Sequence, residues 1–233
     1  MIDYESLLEL IRRRRTVRLY DPDQPVNMAD IERVIEAARW APSGANSQPC
    51  EYVVVTERAA LDEIDLALRE RRKRRLLLRA QAGARYLTPS KDALVDGNAL
   101  IVVCSDPRMR RAYPSSSEGD VAVADPLHAY YATFGATLEN LHLAATALGL
   151  GLVWISVDPD MEQVLRDLLD IPEVLQIVFC CPIGYPSREP AVPTHRPLDE
   201  IIHWETYDRP RLRDEAQVKQ WLEVDRIAGW RSG

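Results

Sequence analysis

APSGANSQP, Ala41–Pro49, is flanked by a stretch of helical periodicity and a run of apolar, β-branched residues. On its N-terminal side, Asn27 is suited to cap a helix and Asp30 to occupy its first turn. Ile31, Val34, Ile35 and Ala38 follow at the spacing of one helix face. The helix must stop near Trp40, because Pro42 disfavours helical backbone in the residue before it. On the C-terminal side, Glu51–Thr56 contains Tyr-Val-Val-Val and reads as a buried strand. The stretch is therefore at minimum a helix-to-strand connection. Its composition also suits a wall for a flat ligand. Small residues let backbone come close, Gly44 permits a positive φ, and Ser43, Asn46 and Gln48 both donate and accept as a heteroaromatic edge requires.

The same alternation of helix and strand continues in both directions. Upstream, Asp3 can cap a helix from Tyr4 towards Arg13, with Leu7, Leu8, Leu10 and Ile11 on its apolar face. The helix runs into RRRRTVRLY, residues 12–20, where Thr16 and Val17 break the helix preference and Arg18 carries the charge past the break. Guanidinium groups on a helix end turning extended suit a phosphate, each offering two parallel donors; a solvated charged face is the plainer reading. Downstream, a helix is expected from Ala59 to about Ala82, with the basic run RERRKRRLLLR (69–79), and irregular chain over 85–98. A strand follows over Ala99–Cys104, then a polar mobile insertion over 106–126. Leu127–Leu148 is the longest expected helix, apolar over a wide face, and Gly149 and Gly151 stop it. His128 and His142 lie on it fourteen residues apart, roughly 20 Å along the axis, too far for a shared metal. A strand over Leu152–Ser156, a helix from Asp158-Pro159 to about Leu169 and a strand over Leu175–Ile183 complete the pattern. The tail beyond Gly184 is proline-punctuated, with a short helix expected over Glu215–Glu223.

With 233 residues, 46% of them hydrophobic, the chain can bury one sizeable core. The net charge of -7 argues against nucleic-acid binding by the whole surface, and 69–79 lacks interleaved aromatics, so a nucleic-acid partner is not expected. Cys50, Cys104, Cys180 and Cys181 show no metal spacing and read as buried reduced thiols of a cytoplasmic protein. No secretory signal or membrane-spanning run is apparent. Walker A, GxGxxG after a strand, GxSxG and HExxH are all absent, which removes support for phosphate-loop, dinucleotide-fold, serine-hydrolase and metal-hydrolase readings.

Four motifs in one order, RRRRTVRLY, APSGANSQP before YVVV, ATLENLHLAATALGLGLVWIS (136–156), and IGYPS with HRPLDEIIHWE, resemble the nitroreductase superfamily of FMN proteins over about residues 5–207. The resemblance implies an α+β fold, a three-layer α/β/α arrangement around a central mixed sheet, in a domain-swapped homodimer. It divides the chain into an FMN-binding domain over 1–207 and an extension over 208–233. It implies that Arg14, Arg15, Thr16 and Arg18 hold the FMN phosphate and ribityl chain. Pro42, Ser43, Gly44 and Asn46 would line the isoalloxazine, the backbone at Ser156 and Val157 would face flavin N5, and Arg196 would complete the phosphate site. NAD(P)H is the implied electron donor and a nitroaromatic, quinone or activated alkene the acceptor, with no metal and no side chain acting as acid or base. The alternatives are a flavin-dependent dehydrogenase or dehalogenase of a biosynthetic metabolite, or a flavin-binding protein without turnover. GYPS and RPLDEI also resemble the iodotyrosine deiodinase branch, but 68–91 shows no copy of its Glu, Tyr and Lys lid set. Cys50 stands where the family commonly has an aromatic residue, and Ser156 stands where its Trp-Ile-Gly pattern has glycine.

Overall fold

The computed structural model describes residues 3–81, 97–112 and 126–227. Local signals fix most helices where expected. Helix α1 (Tyr4–Arg13) begins at Asp3, whose Oδ1 accepts from the Ser6 N–H at 2.9 Å. Helix α2 (Met28–Arg39) begins at Asn27, whose side chain accepts from the Ala29 N–H at 2.9 Å. These short acceptors satisfy amides that a first turn otherwise leaves open. Helices α3 (Arg58–Gln81), α4 (Pro126–Ala147) and α5 (Pro159–Leu169) follow, α5 capped by Asp158 with Pro159 in its first turn and Asp170 left-handed at its end. Helix α6 (Glu215–Glu223) begins with a reciprocal capping box between Asp214 and Gln217.

The strands are β1 (Cys50–Val55), β2 (Ala99–Ser105), β3 (Gly151–Leu152), β4 (Ile155–Ser156) and β5 (Gln176–Gly184). Their order is β1-β2-β5-β3, with β4 also on β5. Among the described residues every ladder is antiparallel, so the expected mixed sheet is corrected, and parallel pairing is limited there to the isolated bridge Thr16↔Leu152. β1 pairs only with β2 and buries only Val55 completely, so it is an edge strand rather than a strand buried on both faces. The expected strand over 152–156 is two short ladders separated by Val153 and Trp154. Of the expected insertion over 106–126, Pro107–Ala112 is a 3-10 turn; 113–125, like 82–96, lies outside the described residues.

The three layers follow from side-chain alternation along β2, buried throughout. Leu100, Val102 and Cys104 join Leu61 and Ile64 of α3 and Met161 and Leu165 of α5. Ala99, Ile101 and Val103 join Ile31 and Val34 of α2 and Leu138 and Leu141 of α4. Adjacent Cys180 and Cys181 of β5 enter opposite clusters. The chain forms two compact units, Met1–Arg188 with this sheet and Glu189–Gly233 with α6.

Candidate functional site

The basic run leaves α1 in a fixed direction. The Arg14 N–H donates to the Leu10 carbonyl at 3.1 Å, and Arg15 Nη1 turns back to the Arg12 and Arg14 carbonyls, so part of one guanidinium closes the helix end. Thr16 bridges Leu152, and the Val17 N–H donates to the Leu152 carbonyl at 3.2 Å. The Tyr20 hydroxyl lies 2.8 Å from the Val17 carbonyl oxygen and 2.9 Å from that of Pro182, and donates to one at a time. Arg14, Arg15 and Thr16 are half-buried and Arg18 is exposed. Arg14 Nε stands 3.6 Å from Glu139 of α4, a loose pair at a half-exposed carboxylate. Among the described residues Arg18 makes no ion pair.

The loop at 41–49 is tighter than a plain connection. Gly44–Asn46 forms a 3-10 turn, closed by Asn46 N–H to Ser43 carbonyl at 2.9 Å and Ser47 N–H to Gly44 carbonyl at 3.1 Å. The Ser43 hydroxyl accepts from the Gln48 N–H at 3.0 Å. Positive φ falls on Ala45 (51°), Asn46 (50°) and Gln48 (45°), whereas Gly44 has none. The freedom that Gly44 offers is not used; the left-handed backbone falls on its neighbours instead. Left-handed backbone at three non-glycine residues costs about 1 kcal/mol each, and such strain concentrates at functional sites. Asn46 and Pro42 are exposed; Ser43 and Gly44 are half-buried.

Helix α4 is the common support. It packs on α1, on the Gly44–Asn46 turn and on β3, and Asn140 Nδ2 donates to the Ala37 carbonyl of α2 at 2.9 Å. From β3 the chain passes Trp154, edge-on to Phe179 at 5.3 Å, to exposed Ser156 and half-buried Val157. The arginine run and the strained loop are therefore positioned by α4 and β3, whereas the 156–157 strand end is held by β5, with Ile155 and Val157 packed on the α3–α5 side. Arg196 belongs to the second unit. Its Nε is 3.5 Å from Glu200 Oε2, and its Nη2 donates to the Glu200 carbonyl at 3.2 Å.

Two residues inside the 136–156 motif, Glu139 and His142, carry a relation to Arg14 that the motif does not reveal. His142 of α4 is 4% exposed, and its Nε2 is sealed without a hydrogen-bond partner. Burial, reinforced by the Arg14 charge, lowers its pKa to about 4, so it is neutral at physiological pH. Glu139, three residues earlier, is the partner of Arg14. The i, i+3 spacing of Glu139 and His142 is visible in the sequence, but the meeting of Glu139 with Arg14 is not. Cys50 Sγ lies 3.6 Å from Thr137 Oγ1, and burial pushes its thiol up, which keeps it protonated and unreactive at neutral pH. Among the described residues no cluster of His, Cys, Asp or Glu could hold a metal, and no helix is long and apolar enough to cross a membrane. Most of the basic 69–79 segment lies outside the described side chains; its first arginine, Arg69, pairs with Asp65.

Comparison with known proteins bears on the same region. The family model described as "Nitroreductase family" matches residues 11–185. An Archaeoglobus fulgidus protein named "Putative NADH dehydrogenase/NAD(P)H nitroreductase" is 33% identical over 187 residues, covering 79% of this chain and 88% of its own. Iodotyrosine deiodinase 1 of Homo sapiens is 28% identical over 209 residues, covering 85% of this chain and 68% of its own. A Desulfovibrio desulfuricans structure described as a "putative nitroreductase in complex with fmn" superposes with a TM-score of 0.60 at 23% identity, covering 89% of this chain and 99% of that one.

Proposed function

We propose, for a chain that belongs to the nitroreductase family, that it is an FMN-dependent oxidoreductase acting on a small organic acceptor with NAD(P)H as donor. The observation that carries the reading is that α4 packs both on the helix that ends in the basic run and on the strained small-residue loop, and also on β3, from which the chain continues to the exposed strand end at Ser156. The donor set fits the cofactor. A dianionic phosphate needs several charge-assisted hydrogen bonds, and Arg18, without an ion pair among the described residues, and Arg14, loosely held by Glu139, can supply them. The names of the Archaeoglobus relative and the description of the Desulfovibrio complex add support from outside the chain.

In this reading Arg14, Arg15, Thr16 and Arg18 bind the phosphate and ribityl chain, and Arg196 adds a cation from the tail. Pro42, Ser43, Gly44 and Asn46 form one wall for the ring system, held in shape by the Ser43–Gln48 bond. The backbone at Ser156 and Val157 supplies a donor at the ring edge. Bound flavin supplies the redox chemistry, a hydride accepted from NAD(P)H and passed on to an acceptor such as a nitroaromatic, quinone or activated alkene. No side chain is assigned as acid or base, and the neutral His142 keeps a further cation away from Arg14. The working assembly is a homodimer, favoured by large apolar side chains left exposed on α1 and α4, among them Leu7, Ile11 and Tyr131. Four free cysteines suit a reducing cytoplasm.

The test has two arms. Arg18→Ala combined with Arg196→Ala is expected to purify largely without flavin, read by absorbance against protein concentration; stoichiometric FMN in that variant would refute the phosphate assignment. Stopped-flow mixing of wild-type protein with NADH and with NADPH is expected to bleach the flavin, and no bleaching by either nucleotide would leave a flavin-binding protein without this turnover.

A further inference from the structure

The second unit contains a cavity of about 810 Å³, within the size range of small-molecule sites. Its lining includes His195, Arg196 and Glu200 and, from later in the chain, Arg213, Gln217 and Trp221. The family match ends at residue 185 and the motifs of resemblance at Glu205, so the wall formed by Arg213 and Trp221 comes from a stretch to which neither assigns a role.

The charges of this lining do not cancel. Arg196 is drawn to Glu200, yet its Nε is sealed from solvent without a hydrogen bond. Arg211 donates to the Ile202 carbonyl at 3.1 Å and stands 4.0 Å from Asp208. Asp225 accepts from Gln220 Nε2 at 3.2 Å. Arg213 is half-buried and makes no ion pair among the described residues. A guanidinium partly withdrawn from water favours a planar oxyanion with which it can form paired bonds. Trp221, also half-buried, lines the same space with an indole, a surface on which a flat ring can stack.

From these features we infer that the cavity binds an aromatic organic phosphate of nucleoside monophosphate type, its phosphate on Arg213 and its ring against Trp221. This site lies beyond the flavin reading and does not rest on it; Arg196 lines the cavity but is assigned no bond to this ligand.

Isothermal titration of the full-length protein as purified, with AMP, adenosine and inorganic phosphate in separate arms, tests the inference. AMP is expected to bind at least about tenfold more tightly than either fragment, because ring and phosphate contacts add only when linked. Arg213→Gln is expected to weaken AMP about tenfold or more and Arg213→Lys to weaken it less, with the flavin-to-protein ratio unchanged in both. Trp221→Leu is expected to reduce AMP affinity towards that of phosphate, and Trp221→Phe, which keeps a ring, to retain most of it; this pair decides the matter if Arg213→Gln does not fold. Absence of AMP binding, or binding indifferent to both residues, would overturn the inference. So would release of flavin in proportion to AMP bound, since the cavity would then be part of the flavin phosphate site. Protein that lacks flavin yet binds AMP through Arg213 would refute the flavin reading and leave this site standing.

Discussion

Gly151 is the point at which the basic run meets the sheet. A Cβ placed there would lie 2.1 Å from Val17 Cγ2 and 2.6 Å from Val17 Cβ, and Val17 cannot swing away because its N–H is held by Leu152. Gly151→Ala is therefore expected to destabilise the protein by about 1–3 kcal/mol and to loosen the 14–18 segment. Val17→Ala should recover part of that loss in the double variant; urea unfolding of the four proteins checks this, and strict additivity would show that the two residues do not meet. His142 gives a pH signature. Its folded pKa of about 4 lies below the ordinary imidazole value, so between about pH 6.5 and about pH 4 the unfolded chain binds a proton that the folded chain does not. Stability is then lost as pH falls through that window, by about 2 kcal/mol between about pH 7.5 and about pH 5. His142→Leu should have a shallower acid-side slope in urea denaturation, and an unchanged slope would rule out this origin. Neither contact was legible in the sequence: Val17 and Gly151 are 134 positions apart, and spacing had offered His142 only as half of a rejected metal pair. The small-residue character of 41–49 was legible, but not which residues carry positive φ. The 3-10 turn and the Ser43–Gln48 bond decide that, and they place it after the glycine.

Helices were more readable than strands because their signals are local. Asp3, Asn27 and Asp158 cap where the sequence places them, since an acceptor two or three residues from an open amide is visible in a one-dimensional string. The boundaries of α6 were legible for the same reason, and its capping box gives an element-level prediction. Asp214→Ala removes the acceptor of the Gln217 N–H at 2.8 Å and is expected to cost the helix about 1 kcal/mol. Hydrogen exchange at the amides of 215–218 should quicken while that of β2 stays unchanged; equal quickening in both would mean the cap stabilises more than its own helix. Strand direction has no such local signature. An apolar run such as ALIVVC states that a strand is buried, not which way its neighbours point, so the ladders proved antiparallel where a mixed sheet was expected. The break at Val153–Trp154 was hidden for a related reason: apolar residues continue through it, and only the partner strand shows where pairing lapses.

At the scale of the molecule, the exposed apolar side chains are the feature most in need of a partner surface. Leu7, Ile11 and Tyr131 in the first unit, and Leu198, Ile201 and Trp204 in the second, are 41–80% exposed. Scattered exposure of single residues is ordinary, but a helix such as α1 that buries none of its residues completely leaves its apolar face incompletely covered. Light scattering is expected to give twice the chain mass of 26.5 kDa. Ile11→Asp with Tyr131→Asp should shift the mass towards one chain and lower flavin content with it; a monomeric wild type would remove the homodimer from the proposal. The sequence announced the family through four ordered motifs, yet the exposed surface had no signature in it, because the same periodic leucines describe a helix packed on its own sheet or on a second chain.

The opposed placement of Cys180 and Cys181 supplies an internal clock for each side of the sheet. A thiol reagent reaches Cys180 only when the α3–α5 layer opens, and Cys181 only when the α2–α4 layer opens. Labelling kinetics of two single-cysteine proteins, each with the other positions replaced by Ser or Ala, would time the two openings separately, at neighbouring residues of one strand. If ligand binding on the α4 side slows the Cys181 clock and leaves that of Cys180 running, the sheet behaves as a partition between two independently breathing cores.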